Sequence, residues 1–393
     1  MNAKGGNTGS GTAIILTLAA IAALGSLATQ LVVPALPPIA AEFGASTVAA
    51  QRVIGIYLLG LAGGQLFAGP MADKYGRRPV MLGGLGLFVI GSAAALAVHS
   101  LPWLLSARLL QALGGAAGIV TARVMVSDIF PPEEAATRQA TLMSVVLLSP
   151  AIAPVIGGAM TEVAGWRSIF VLLVLTGLGA ALFVKVRLAE SPRRAAAPAR
   201  NLLHAWGMLL ATPRFTGNSL AMTLASSSLY AFLAATPFIL SSQHGIGPRD
   251  TGLFLLGIAA AGIVGTKFVG VINRRSNGSI VGASLVASGA MLLLVGAVAG
   301  AHSLAAFFLP MVLMGFGTGV LGPSTISAIM QSRPGLEGTA TSLAGALQMG
   351  GSALASSMIG AADTLRLGIV LSIMTLLSLA AAMAASRTRM QTA

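Results

Sequence analysis

The sequence predicts an all-α membrane protein with twelve transmembrane helices arranged as two six-helix bundles. Three observations carry that expectation. First, only 8% of the 393 residues are charged, 55% are hydrophobic, and mean hydropathy is +0.88. A soluble domain carries about 25% charged residues, so this chain has too little charge to coat a water-facing surface. Second, the charges divide the chain into apolar runs of membrane length. Third, the basic residues concentrate in alternate connections between those runs.

A spanning helix needs about 20 apolar residues. No Asp, Glu, Lys or Arg occurs in 5–41, 79–107, 139–161, 215–248, 276–332, 338–362 or 367–386. The window 276–332 is too long for one span and breaks at AVAGAHS, 297–303. In order, the expected spans are 12–34, 47–71, 79–98, 102–126, 138–160, 166–187, 214–240, 250–272, 279–299, 303–330, 336–361 and 364–386. No small-residue cleavage site follows the charged start, so the first span reads as a retained helix and not as a removable signal. The longest polar connector, RLAESPRRAAAPARN at 187–201, reads as a linker. It separates an N-terminal bundle at 1–187 from a C-terminal bundle at 205–393, with the cytoplasmic linker at 188–204.

With the N-terminus in the cytoplasm, sixteen Lys and Arg lie inside and four (Arg52, Arg167, Arg249, Arg366) lie outside. Arg108, Arg123 and Lys267 fall within spans. This asymmetry matches the positive-inside rule and accounts for the net charge of +13 without a nucleic-acid partner. It implies an inner-membrane protein with both termini cytoplasmic. The chain has no cysteine, which removes disulfides, thiol nucleophiles and zinc–thiolate sites. Its four histidines, His99, His204, His244 and His302, are scattered without metal-ligand spacing. No metal, cofactor or catalytic constellation is expected. The run GFGTGVLGP, 315–323, follows no strand and precedes no lysine, so it reads as helix packing and not as a nucleotide loop.

A shift of 201 positions places Gly69 on Gly270, and Gly114 and Gly118 on Gly315 and Gly319. Each of Gly69 and Gly270 is followed by a short basic turn, DKYGRR and NRRSNG. This is a weak internal repeat, of the kind that builds two-bundle transporters with a central site at the membrane midplane.

The turn GPMADKYGRRPV, 69–80, concentrates charge in an apolar setting. Gly69 and Pro70 suit a span end with close backbone packing. Gly76 suits a tight reversal that needs positive φ. Arg77 and Arg78 hold the turn in the cytoplasm. Asp73 has no role in a topology signal and is expected to cap a helix or bridge to a base. A latch of this sort across the two halves would stabilise one conformation and release in another.

The pattern G-x-x-A-D-x-x-G-R-R between spans two and three resembles the signature loop of the major facilitator superfamily. RLLQALGGAAG, 108–118, resembles that superfamily's span-four motif, and SPAIAPVIGG, 149–158, its span-five antiporter motif. VPALPPIA, YLLGLAGGQLFAGPMAD, SDIFPPEEA and GTATSLAGALQ make the chain similar to drug:proton antiporters of the bicyclomycin/chloramphenicol-resistance type. The resemblance implies a rocking, outward/inward cycle that exports drug-like molecules in exchange for protons. It implies proton coupling through Arg108, with Asp128 the nearest acid in family terms. One departure stands out: the residue four before the span-one proline, typically acidic in that family, is Gln30. Glutamine releases no proton.

Arg108 lies about 9 Å into its span by helix rise. A cation at that depth is costly and functional by default, the alternative being snorkelling to the nearby surface. All ten acids fall at span ends or in loops, and a rim salt bridge is the plain reading of Asp128. Pro150 and Pro154 lie one turn apart and each removes a helical hydrogen bond. With Gly157 and Gly158 they read either as a bend sealed against the other half or as an ordinary kink. Gln30, Gln111 and Gln348 are polar at depth, facing a cavity or another helix. Tyr57, Tyr230, Phe232, Phe238 and Met349 are candidates for an adaptable apolar pocket, with plain packing as the alternative.

The functional expectation is a monomeric exporter of small apolar or amphipathic compounds. The lack of buried acid points to neutral or anionic substrates. A polar-metabolite exporter on the same fold is the alternative. A membrane sensor would need an appended soluble domain, and the short loops and tails provide none.

Overall fold

The structure, a computed structural model, describes residues 8–190, 202–301, 303–358 and 363–390. Among these residues every regular element is a helix. The first span is interrupted. Helix α1 (Thr8–Gln30) stops before a 3₁₀ turn, Val33–Ala35, and α2 (Leu36–Glu42) completes the crossing. Pro34, Pro37 and Pro38 have no N–H for a continuous ladder, which is why the helix predicted at 12–34 breaks.

The next five spans are α3 (Thr47–Tyr75), α4 (Arg77–Ala94), α5 (Leu101–Ile129), α6 (Pro132–Ala164) and α7 (Arg167–Arg187). A short helix, α8 (Leu202–Leu210), was not expected and lies where the linker was read to end. The rest of the linker, 191–201, lies outside the described residues. The last six spans are α9 (Pro213–His244), α10 (Pro248–Arg275), α11 (Gly278–Val298), α12 (Leu304–Met330), α13 (Glu337–Met358) and α14 (Thr364–Met390). Counting α1 and α2 as one crossing, ten spans among the described residues are long and apolar enough to cross a membrane on composition alone. The two that are not are α4, which is short and opens on two arginines, and α13, which is rich in Gly, Ser and Thr.

Within the first six spans α3 and α4 pack on α5, α1 packs on α5 and α6, and α4 packs on α7. In the last six, α10 and α11 pack on α12, while α9 packs on α13 and α14. The groups meet chiefly along two seams, α3 with α13 and α6 with α10. Shifted by six spans, these two seams exchange places, which is the three-dimensional form of the internal repeat. The repeat is not kept residue by residue. Gly114 faces α4, whereas Gly315 faces Ile258 of α10.

One end of the molecule carries the Asp73–Arg78 turn together with Lys185, Arg187, Arg274, Arg275 and Arg333, and is the basic end. Both seams are tightest at the opposite, far end. A Cβ on Gly158 would run into the Pro248 carbonyl, and one on Gly252 into the Pro154 carbonyl. A Cβ on Gly55 of α3 would run into Ser357 of α13. Gln51 adds a direct bond across the halves, its Nε2 donating to the Ala234 carbonyl at 3.3 Å. Small residues permit this approach, and dispersion between backbones holds it where lipid offers no hydrophobic drive.

Gly158→Val is therefore expected to destabilise the purified protein by about 1–3 kcal/mol through overpacking at a backbone contact. Gly83→Val, where a Cβ meets open space, is expected to stay within about 0.5 kcal/mol. Thermal unfolding in detergent checks both; equal midpoints for the two variants would contradict the seam.

Candidate functional site

Between the two halves lies a cavity of about 1240 Å³. The first half contributes Ser26 and Gln30 of α1, Arg123 of α5, and Met143, Pro150 and Pro154 of α6. The second half contributes α9, α10, α12 and α13, including Met222, Ser226, Tyr230, Ile258, Gln348 and Met349. Met330, Gln331, Pro334 and Glu337, at the basic end of α12 and α13, also lie on the wall. The cavity thus reaches the basic end and is shut at the far end by the two seams. Its wall is mostly aliphatic, with Met, Pro and Ala interleaved among a few hydroxyls and amides, the chemistry of an adaptable apolar pocket.

Of the residues expected to line a pocket, Gln30, Tyr230, Gln348 and Met349 are on this wall. Gln348 Nε2 donates to Ser226 Oγ at 2.5 Å. Gln30 Oε1 is buried and without a hydrogen-bond partner. The other four lie off the wall. Phe232 packs on Phe307 of α12, ring centres 6.0 Å apart. It follows Tyr230 by two positions, about 200° around the helix, so the two cannot share a face. Phe238 is buried two turns nearer the far end.

Tyr57 and Gln111 belong to a separate polar cluster around Arg108, which is fully buried. Arg108 Nη1 donates to the Ala28 carbonyl at 3.0 Å and to Gln111 Oε1 at 2.7 Å. Gln111 Nε2 in turn donates to Ser92 Oγ at 2.6 Å, and Ser92 donates to the Phe88 carbonyl. The guanidinium lies over the Tyr57 ring, 3.9 Å from its centre. Arg108 therefore does not snorkel. Its charge is spread over a carbonyl, an amide and an aromatic face drawn from α1, α3 and α5.

Pro150 and Pro154 share the cavity face of α6, as their four-residue spacing requires. Gly157 meets the Leu31 carbonyl of the broken first span, and Gly158 meets α10. The four motif residues thus put α6 between α1 and α10.

At the basic end Gly76 has φ 103°, a region glycine reaches without strain. It ends α3 and opens α4. Arg77 Nη1 bridges to Asp73 Oδ1 at 2.5 Å and Arg77 Nε to Asp128 Oδ2 at 3.3 Å. Asp128 is the better shielded acid, its side chain 7% exposed against 52% for Asp73. The first turn of α4 is capped from a distance. Glu190 Oε1 accepts the Arg77 and Arg78 backbone N–H groups at 2.8 and 3.3 Å. Arg78 Nη2 donates to the Lys185 carbonyl. Two expectations change here. The bonds of this turn described above run within the first half, to α5, α7 and Glu190, where a latch across the two halves was expected. Gly69 is not a close-packed span end either. Its Cβ position is open, because α3 continues through Pro70 to Tyr75.

The whole arrangement has known counterparts. Residues 18–356 match the family model described as Major Facilitator Superfamily. The chain belongs to that superfamily. It is 30% identical over 348 residues to multidrug resistance protein D of Escherichia coli (strain K12), covering 88% of each chain. It is 29% identical over 312 residues to a chloramphenicol resistance protein of Pseudomonas aeruginosa, covering 78% of this chain and 73% of that one. A bicyclomycin resistance protein homolog of Haemophilus influenzae is 26% identical over 363 residues, 88% of each. Among solved structures, a bacterial homolog of the human lysosomal transporter Spinster, inward-facing and occupied, superposes with TM-score 0.81 at 19% identity over 98% of each chain. That last likeness concerns the fold of this superfamily member alone.

Because Arg77 and Asp128 are both largely shielded, their pairing should be energetically coupled. A double-mutant cycle with Arg77→Ala and Asp128→Asn is expected to give a coupling of about 0.5–3 kcal/mol in unfolding free energy. Additive effects would contradict it.

Proposed function

We propose that this chain exports small apolar or amphipathic drug-like compounds, neutral or anionic, from the cytoplasm in exchange for protons by alternating access. The observation that carries the proposal is the cavity. It is about 1240 Å³, walled by both halves, mostly apolar, open at the basic end and closed at the far end. A volume of this size suits a drug-sized molecule. Relatives named for multidrug, chloramphenicol and bicyclomycin resistance support the same substrate class. The low share of hydroxyls and amides on the wall favours this reading over a polar-metabolite exporter.

The basic end faces the cytoplasm in this proposal, since Lys and Arg collect on that side. That orientation leaves the cavity inward-open, in the inner membrane. The halves at 1–187 and 205–393 act as the rocking units, and 188–204 joins them. Each chain holds a complete cavity between its own halves, which supports a monomeric exporter.

The residue roles follow from the same reading. Pro150, Pro154, Gly157 and Gly158 hold the far-end seal. The turn formed by Gly69, Asp73, Gly76, Arg77 and Arg78 engages the second half when the basic end closes. Its bonds to first-half partners in this conformation then mark the released position. Arg108 and Asp128 take part in proton coupling, Arg108 through the Ala28 carbonyl, two residues before Gln30 on the cavity wall.

Everted membrane vesicles provide the test. Energised vesicles are expected to accumulate radiolabelled chloramphenicol, to lose that uptake when the proton gradient is dissipated, and to accumulate little ethidium. Robust ethidium uptake without chloramphenicol uptake would contradict the proposal.

A further inference from the structure

Arg123 stands on α5, about 9 Å by helix rise from the basic end of that helix at Ile129. It lies on the cavity wall. Its Nε is shut off from solvent and has no hydrogen-bond partner. Among the described residues no carboxylate pairs with it. Arg108, fifteen positions earlier on the same helix, differs in place: it lies off this wall, its Nη1 donates to Ala28 and Gln111 and its guanidinium covers the Tyr57 ring, while its Nε and Nη2 are buried without a partner. The other charged side chain on the wall is Glu337, at the mouth, where its Oε1 accepts the Gly335 N–H at 2.9 Å.

A guanidinium in an apolar chamber without a counter-ion is costly to keep. Its forked donors match a carboxylate or sulfonate. From these observations we infer that Arg123 is the specificity residue of the cavity and binds an anionic head group, so that the preferred substrates are amphipathic anions. The apolar body of such a molecule rests against Met143, Leu229, Tyr230 and Met349. Like charge selects against organic cations entering the same chamber. The inference rests on the exporter reading above and names its substrate class. It also bears on Gln30. An anion leaving the cell moves down an interior-negative potential, so outward transport of this class has a driving force even where the wall offers no titratable acid at that position.

The test uses a matched pair, chloramphenicol and its anionic succinate monoester, with purified full-length protein and equilibrium radioligand binding. The wild type is expected to bind the succinate ester at least about tenfold more tightly than chloramphenicol, the strength of one charge-assisted pair. Arg123→Gln is expected to remove about tenfold of succinate affinity, leave chloramphenicol within about twofold, and be partly rescued by Arg123→Lys. Unchanged chloramphenicol binding also reports a folded variant. No succinate preference in the wild type, no binding of either compound, or unchanged succinate binding in Arg123→Gln would each overturn the inference. Flux in proteoliposomes separates it from the exporter reading. Arg123-dependent succinate binding with no flux of either compound keeps the inference and removes the exporter. Flux of chloramphenicol with the succinate ester excluded does the reverse.

Discussion

Backbone contact between α6 and α10 is the constraint on which the cavity depends. Gly158 and Gly252 bring each helix against a carbonyl of the other, and no side chain larger than hydrogen fits at either point. The α3–α13 seam repeats the device at Gly55. Because both seams are tight at the far end, the two groups of six helices diverge towards the basic end, and the space between them becomes the chamber. The prolines of α6 act in the same place. They face the chamber, and the carbonyl of Pro154 is the surface that Gly252 meets.

Charge placement follows a second constraint, that an ion in hydrocarbon needs compensation. The chain meets it in three ways. Most loop and span-end cations lie at the basic end. Arg108 is buried and held through Nη1 by a carbonyl and an amide and over an aromatic face, with its Nε and Nη2 left without a partner. Arg123 is left with an unpartnered Nε on the chamber wall. In the proposed reading the first arrangement sets orientation and the third leaves a donor for a substrate, while the second ties α1, α3 and α5 together.

The helices were readable because lipid excludes charge, so the charge-free windows already outlined most spans. The break at Pro34 displaced one boundary, and α8 escaped notice because nine residues give too little pattern. Side-chain roles were less legible. Depth can be read from a span, but facing cannot. Gln30, Gln111 and Gln348 look alike in sequence, yet Gln111 is consumed by Arg108 and Ser92 while the other two reach the chamber. Phe232 and Tyr230 could have been separated by helical angle alone. Glu190 had no local signal at all, since it caps a helix more than a hundred residues earlier in the chain. Arg123 was visible only as a base within a span, and its exposure to the chamber is a product of packing.

The central claim is that the far-end seams and the basic-end opening are alternatives of one rocking motion. The native chain has no cysteine, so spin-label pairs can be introduced cleanly at exposed positions. Val163 with Arg249 spans the far end, and Thr137 with Met330 spans the basic end. Pulsed electron–electron distance measurements with and without substrate, at two pH values, are predicted to show the two distances changing in opposite directions. Distances that stay fixed, or that lengthen together, would contradict the account.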